Sequence, residues 1–407
     1  MRKITSLEGG ASYHVLRTYY MATTKSLVDY AALNLTKLTA PQLSSLEVIQ
    51  NNAMRLMLGA PMWTRLCNLQ AETNLPPLQT RINIKNTHTI TKSLIHRPGS
   101  FLSQRAKEEL TRHPDLPKPS TYAATLGNCI RHCEMSTKLA SIQPILANSN
   151  LKKPAPWENF PATITYTKLP ASKNNCTQPI LKAAALNTIR AAEQPGGTTY
   201  YTDGTVDPVM GTTGAGVYST SFTASWRTSN SCSTLQTELT AIRLTLTYSL
   251  ENGNGPVTIH TDSKSSLQAL QQKRFSENTN ILSNIIHLLC QHNEQGRHVI
   301  LNWIPSHIGI KGNDLADEMA RNSLYSNTIT THIQPSLSQF KGYTKHIPQK
   351  IITTNLNKWV ENNSPSALWY INTTNREPPP TDKLTPRGLA VIVARLRLGC
   401  KYCWEVA

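Results

Sequence analysis

Thr198-Thr-Tyr-Tyr-Thr-Asp203-Gly204 is the run whose reading decides the fold. Its β-branched and aromatic residues favour a strand, and Asp-Gly ends it with turn chemistry. Two more β-type runs follow at 214–219 and 222–227, separated by turns, so the three form a meander. The spacing then predicts a helix over 233–250, with Leu235, Leu239, Ile242 and Leu246 on one face. A strand at 257–261, helices at 263–272 and 278–291, a strand at 299–304 and a helix at 313–323 complete the series. This order predicts an α/β fold, a mixed five-stranded sheet with helices on its faces.

Outside this segment the texture differs. Residues 1–95 read as mainly helical, since Leu43, Leu46, Ile49, Gln50, Ala53, Leu56 and Met57 recur at three- and four-residue spacing before Gly59-Ala60-Pro61 stops the helix. Leu75-Pro76-Pro77-Leu78 is a rigid turn, and 80–95 can start a second helix. Residues 96–195 are proline-marked and read as a connector with short helices, ending at Gln194-Pro195-Gly196-Gly197. Residues 196–326 hold the sheet. Residues 327–407 read as a polar tail with a short basic helix at 388–398 and a truncated Cys400-Lys-Tyr-Cys403. Two cysteines cannot close a four-ligand zinc site by themselves.

The chain has 407 residues and a formal net charge of +17, unevenly spread. Between Gly196 and Tyr325 there are eight basic and ten acidic residues, a net of −2, so the remainder carries +19. A slightly acidic module between strongly basic flanks points to metal chemistry on arms that hold the backbone of a nucleic acid. The longest apolar run near either end, 389–394, is far short of the roughly 20 residues a membrane helix needs. Residues 1–10 lack the apolar core of a signal peptide. Eight widely spaced cysteines do not form a disulfide framework. The expectation is an intracellular protein, of nucleus or cytoplasm, with no membrane partner.

Four acids stand out. Asp203 and Asp262 each end a strand, and in open α/β sheets ligands bind at that edge. If their strands are parallel neighbours, the two carboxylates face one cleft. Glu238 borders the apolar stripe of its helix with no Lys or Arg at i±3 or i±4, so its charge needs a cation from elsewhere. Asp317 lies on the last helix. Each acid alone fits ordinary turn, cap or helix-dipole chemistry. Together they make an oxygen-rich site suited to Mg²⁺ or Mn²⁺.

Tyr-Thr-Asp203-Gly, Gln236-Thr-Glu238-Leu, His-Thr-Asp262-Ser and Trp303-Ile-Pro-Ser-His307-Ile-Gly-Ile-Lys-Gly-Asn-Asp-Leu-Ala-Asp317 resemble type 1 ribonuclease H, above all the ribonuclease H domains of non-LTR retrotransposon polyproteins. The resemblance covers about 130 residues, 197–326, with every motif in order. It implies that Asp203, Glu238, Asp262 and Asp317 bind two Mg²⁺ ions, with Mn²⁺ as a substitute, and that His307 assists product release. It further implies two-metal hydrolysis of the RNA strand of an RNA/DNA hybrid. Reading 2′-hydroxyls requires polar contacts, for which Asn230, Ser233 and Gln236 are available. Leu46-Glu-Val-Ile-Gln-Asn-Asn-Ala-Met-Arg-Leu-Met-Leu-Gly-Ala-Pro61 and Glu72-Thr-Asn-Leu-Pro-Pro-Leu78 are similar to a reverse-transcriptase thumb and connection. The chain has no Tyr-x-Asp-Asp polymerase motif, so a polymerase palm is the expected missing partner segment. The competing readings are a catalytically silent nucleic-acid-binding remnant and an integrase-like nuclease. The complete acidic set argues against the first, and the helix-borne Glu238 against the second.

Overall fold

The computed structural model describes residues 1–6, 10–111, 121–140, 142, 159–230, 232–272, 277–377 and 385–400. The chain divides into two compact units, Ile145–Gln339 and a second built from Met1–Pro144 together with Phe340–Ala407. Cys403 lies outside the described residues, so the Cys400/Cys403 pair has no structural reading.

The first of these is a mixed sheet flanked by helices. Its strands are β1 (Thr163–Tyr166), β2 (Thr198–Val206), β3 (Thr213–Tyr218), β4 (Thr223–Thr228), β5 (Val257–Thr261) and β6 (Val299–Trp303), in the spatial order β1-β6-β5-β2-β3-β4. β1, β6, β5 and β2 run parallel, while β3 and β4 form the antiparallel meander. The sheet therefore has six strands rather than five. The sixth comes from the stretch read as a connector, and pairs from Thr163↔Ile300 to Tyr166↔Trp303 along what would otherwise be an open β6 edge. An edge strand's N–H and C=O groups need partners, and this segment supplies them. The connector also yields the helix Gln178–Ala191, whose Leu181, Ala185 and Ile189 pack on Ile304, Ile308 and Ile310.

Alternation along β2 separates the two faces. Gly204 faces the helix Thr234–Asn252, and a Cβ there would stand 2.4 Å from the Glu238 nitrogen, so only glycine admits this approach. Asp203 sits opposite Gly216 of β3 on the other face, where a Cβ on Gly216 would meet the Ala320 nitrogen at 2.3 Å. That contact seats the helix Lys311–Ser323 directly on the sheet. The apolar core lies on the Gly204 face, where Leu239, Ile242 and Leu246 meet Ile259, Leu301, Ile285 and Leu289.

The helical unit draws its core from both ends of the chain. The helix expected around 43–57 spans Ala40–Leu58 and stops at Gly59 in the left-handed region, at φ 64°. The second runs Leu78–His96. The stretch read as a polar tail forms the helices Ile347–Glu361, Pro365–Thr374 and Arg387–Arg397, whose Leu356, Ala367, Tyr370 and Ala394 join Leu16, Met54, Met57 and Leu69. Buried Glu72 locks them in place. It accepts from Arg397 Nε at 2.7 Å and Nη2 at 3.1 Å, and from the Tyr370 hydroxyl at 2.9 Å. Arg387 and Arg395 donate to the carbonyls of Leu56, Met57 and Gly59, which the end of Ala40–Leu58 leaves free. Among the described residues no helix is long and apolar enough to cross a membrane.

Candidate active site

Strand β2 continues past Asp203 to Val206, pairing there with β3 alone. Its parallel ladder with β5 ends at Thr202↔Thr261. Asp203 and Asp262 are thus the next residue on each strand, side by side where the ladder opens. Their strands are parallel neighbours, the condition that makes one cleft of two strand ends. Glu238 enters from the first turns of Thr234–Asn252. A capping box fixes that end: Ser233 Oγ accepts from the Gln236 amide at 3.3 Å, and Gln236 Oε1 from the Ser233 amide at 3.1 Å. Ser233 and Gln236 are therefore helix-cap groups. Gln236 is buried and also donates to the Gln334 carbonyl, while exposed Asn230 accepts from Arg227 through its Oδ1.

The carboxylate oxygens of Asp203, Glu238 and Asp262 lie within 4.8 Å of one another, and no other group of three metal-ligand side chains occurs among the described residues. Burial pushes the Asp203 carboxyl up to about 7, and the like charges of Asp262 and Asp317 add to it. Burial, then repulsion from Asp203 and Asp262, holds Glu238 well above the usual carboxylate range. Its Oε2 is buried with no hydrogen-bond partner among the described residues. Asp262 is also raised by burial, against the opposing pull of an Asn313 hydrogen bond and the charges of His307 and Lys173. Three crowded carboxylates, one with an orphaned oxygen, make an all-oxygen donor set that fits a hard divalent cation.

Asp317 stands outside this trio. It pairs with Arg321 one turn on at 2.7 Å, yet it is near enough to raise Asp203. Asp314 sits in the first turn of its helix, where the dipole favours an acid. His307 is exposed, in the left-handed region at φ 57°, on the loop after β6.

Two contributors carry no signal in spacing or pattern. Asn313, 3% exposed, orients Asp262 through its side chain. Lys173 comes from the stretch between β1 and the helix Gln178–Ala191 and donates to Ser306 Oγ at 2.6 Å, next to His307. Nothing in the local sequence marks Lys173, and Asn313 lies in the 303–317 motif without a role read from it there; the fold brings both to Asp262.

The family model RNase H matches residues 195–325, the segment that carries β2 to β6 and Asp203, Glu238, Asp262, Asp314 and Asp317. No curated protein matches the chain. The match supports an RNase H domain over residues 195–325, and β1 with the helix Gln178–Ala191 lies outside the matched residues yet within the same sheet unit.

Proposed function

We propose that the protein is an endoribonuclease that hydrolyses the RNA strand of RNA/DNA hybrids with two divalent cations, Mg²⁺ or Mn²⁺. The observation that carries this reading is the unpartnered, buried Glu238 Oε2 beside Asp203 and Asp262, inside the RNase H match. Asp203, Glu238 and Asp262 would hold the cations, with Asp317 completing the cage once it turns from Arg321. Divalent cations bound there supply water activation and stabilisation of the leaving oxygen. Asn313 keeps Asp262 oriented, and Lys173 offsets negative charge at its edge. His307, exposed on the loop after β6, would act on product departure rather than build the cage.

The reading extends to origin. The motif resemblance and the helical stretch 46–78 support a retrotransposon-derived polyprotein whose polymerase segment lies elsewhere. Eight cysteines without the dense spacing of a disulfide framework support work in a reducing intracellular compartment.

The test is a purified chain with labelled hybrid, duplex RNA, duplex DNA and single strands, each with Mg²⁺, Mn²⁺ or EDTA. Hybrid alone should be cut, only with metal, at its RNA strand. Intact hybrid in both metals would leave the silent nucleic-acid-binding reading.

A further inference from the structure

We propose that the helical unit carries a phosphate-binding pocket built on Lys25, Arg81 and Lys345. A cavity of about 250 Å³ opens between the helices Thr24–Leu35, Ala40–Leu58 and Leu78–His96 and the turn before Ile347–Glu361. Those three cations line it with the amides of Gln50, Asn74 and Gln349, and none of its lining residues is acidic.

The local charge does not balance. The nearby acid, Asp29, is already engaged: Arg81 Nε and Nη2 donate to its two oxygens at 2.8 and 2.6 Å, and Lys85 Nζ lies at 3.1 Å. Two cations thus share one carboxylate, while Lys25 and Lys345 form no ion pair with a described residue. Half-buried Lys25 has one hydrogen-bond partner among the described residues, the thioether sulfur of Met21 at 3.2 Å. A thioether is a weak acceptor and a poor exchange for water around an ammonium. Burial first, then the positive charge of Arg81, pushes the Lys25 ammonium down to about 8, in keeping with a cation that lacks its counter-ion.

The chemistry selects the ligand. Ammonium and guanidinium groups without carboxylates exclude a metal ion and favour an oxyanion of more than one charge. Gln50 is a fixed wall, accepting from the Tyr20 hydroxyl and donating to the Pro76 carbonyl, both at 2.8 Å. At about 30 Å³ per water in the liquid, the cavity has room for a phosphate and the group esterified to it. The site lies outside the RNase H match and stands independently of the nuclease reading.

The full chain, in EDTA to keep the acidic trio unloaded, is titrated calorimetrically with inorganic phosphate, a 5′-phosphorylated hexanucleotide and its 5′-hydroxyl twin. Wild type should bind phosphate, and Lys25→Met with Lys345→Gln should weaken that binding at least tenfold with Tm unchanged. Lys25→Arg, which keeps the charge, should retain it. Preference for the phosphorylated hexanucleotide assigns a terminal monoester, and equal affinity for the twins assigns a backbone phosphodiester. Should Lys25→Met fail to fold, Lys345→Gln on its exposed turn serves alone, with a severalfold loss expected. No phosphate binding by wild type, or equal affinities of variants and wild type, overturns the pocket.

Discussion

Trp303 donates its indole N–H to the backbone carbonyl of Asp262 at 2.9 Å. Its own carbonyl accepts from the amide and hydroxyl of Thr167, at 3.1 and 2.8 Å. A candidate metal ligand is thereby tied through one tryptophan to a segment that precedes the RNase H match by some thirty residues.

That tie makes the sheet unit longer than its motifs. A fragment of residues 159–339 should melt cooperatively, whereas 196–339 loses β1 and the apolar contacts of Leu181 and Ile189, worth roughly 1.5–3 kcal/mol for each large side chain buried. The shorter fragment should show a lower Tm and faster amide exchange over 304–310. Equal melting and equal protection in the two fragments would refute the structural role of the added strand.

Asp203→Asn and Asp262→Asn should each lower hybrid cleavage by several orders of magnitude, because the cation cage needs its full charge. Neither should lower the Tm of the metal-free chain, since each relieves like-charge repulsion. Mg²⁺ should raise the wild-type Tm and leave the variants almost unmoved. A variant that cuts at the wild-type rate removes its aspartate from the site.

The same crowding sets a pH dependence. Folded Asp203 keeps its proton up to about pH 7, whereas the unfolded chain releases it near 3.8. Between these values the folded state binds the extra proton, so this contribution to stability falls as pH rises and is lost above about 7. Buried His260, depressed to about 4, acts oppositely on the acid side and is common to both proteins in the comparison. The difference in Tm between metal-free Asp203→Asn and wild type should therefore grow from pH 5 to pH 8. A flat difference contradicts the burial of that carboxyl.

His307→Asn removes the imidazole while keeping a residue that tolerates its left-handed backbone. Steady-state turnover should slow about tenfold, equivalent to about 1.4 kcal/mol of barrier, with hybrid binding little changed. A loss as deep as that of Asp203→Asn would make His307 a direct participant in bond cleavage.

The basic flanks should appear in the salt response. Full chain and the 159–339 fragment should both prefer hybrid for cleavage, but binding by the full chain should fall more steeply with salt, because its additional Lys and Arg displace more counterions. Parallel plots of log K against log salt would mean that the flanking charge touches no phosphate.

The acids of the site were legible because strand ends, Asp-Gly and Asp-Ser junctions, and an unpaired helix glutamate are local patterns. Helix and strand positions within 196–326 followed from the same short-range periodicities. β1 escaped because four residues among prolines are too short to display alternation. The basic helix expected at 388–398 is Arg387–Arg397, but Ile347–Glu361 escaped because Ile352 and Leu356 are spaced by a turn among Thr and Asn residues whose polarity hides the stripe. Glu72 with Arg397 is a pairing across 325 positions, and no local pattern records it. The capping box at Ser233 is written in the sequence as Ser-x-x-Gln, a pair of polar residues that suits a substrate contact equally well.

The divided origin of the helical unit has a consequence for biogenesis. A ribosome finishes the whole of Ile145–Gln339 before it begins Phe340, so the sheet unit can mature while its neighbour is still missing a share of its interior. Met54, Met57 and Leu69 must wait for Leu356, Tyr370 and Leu398, and Glu72 waits for Arg397. During that interval the nascent helices present apolar surface and an uncompensated carboxylate, the features that recruit chaperones. A stop codon anywhere between 340 and 397 would spare the sheet unit and orphan the first 144 residues.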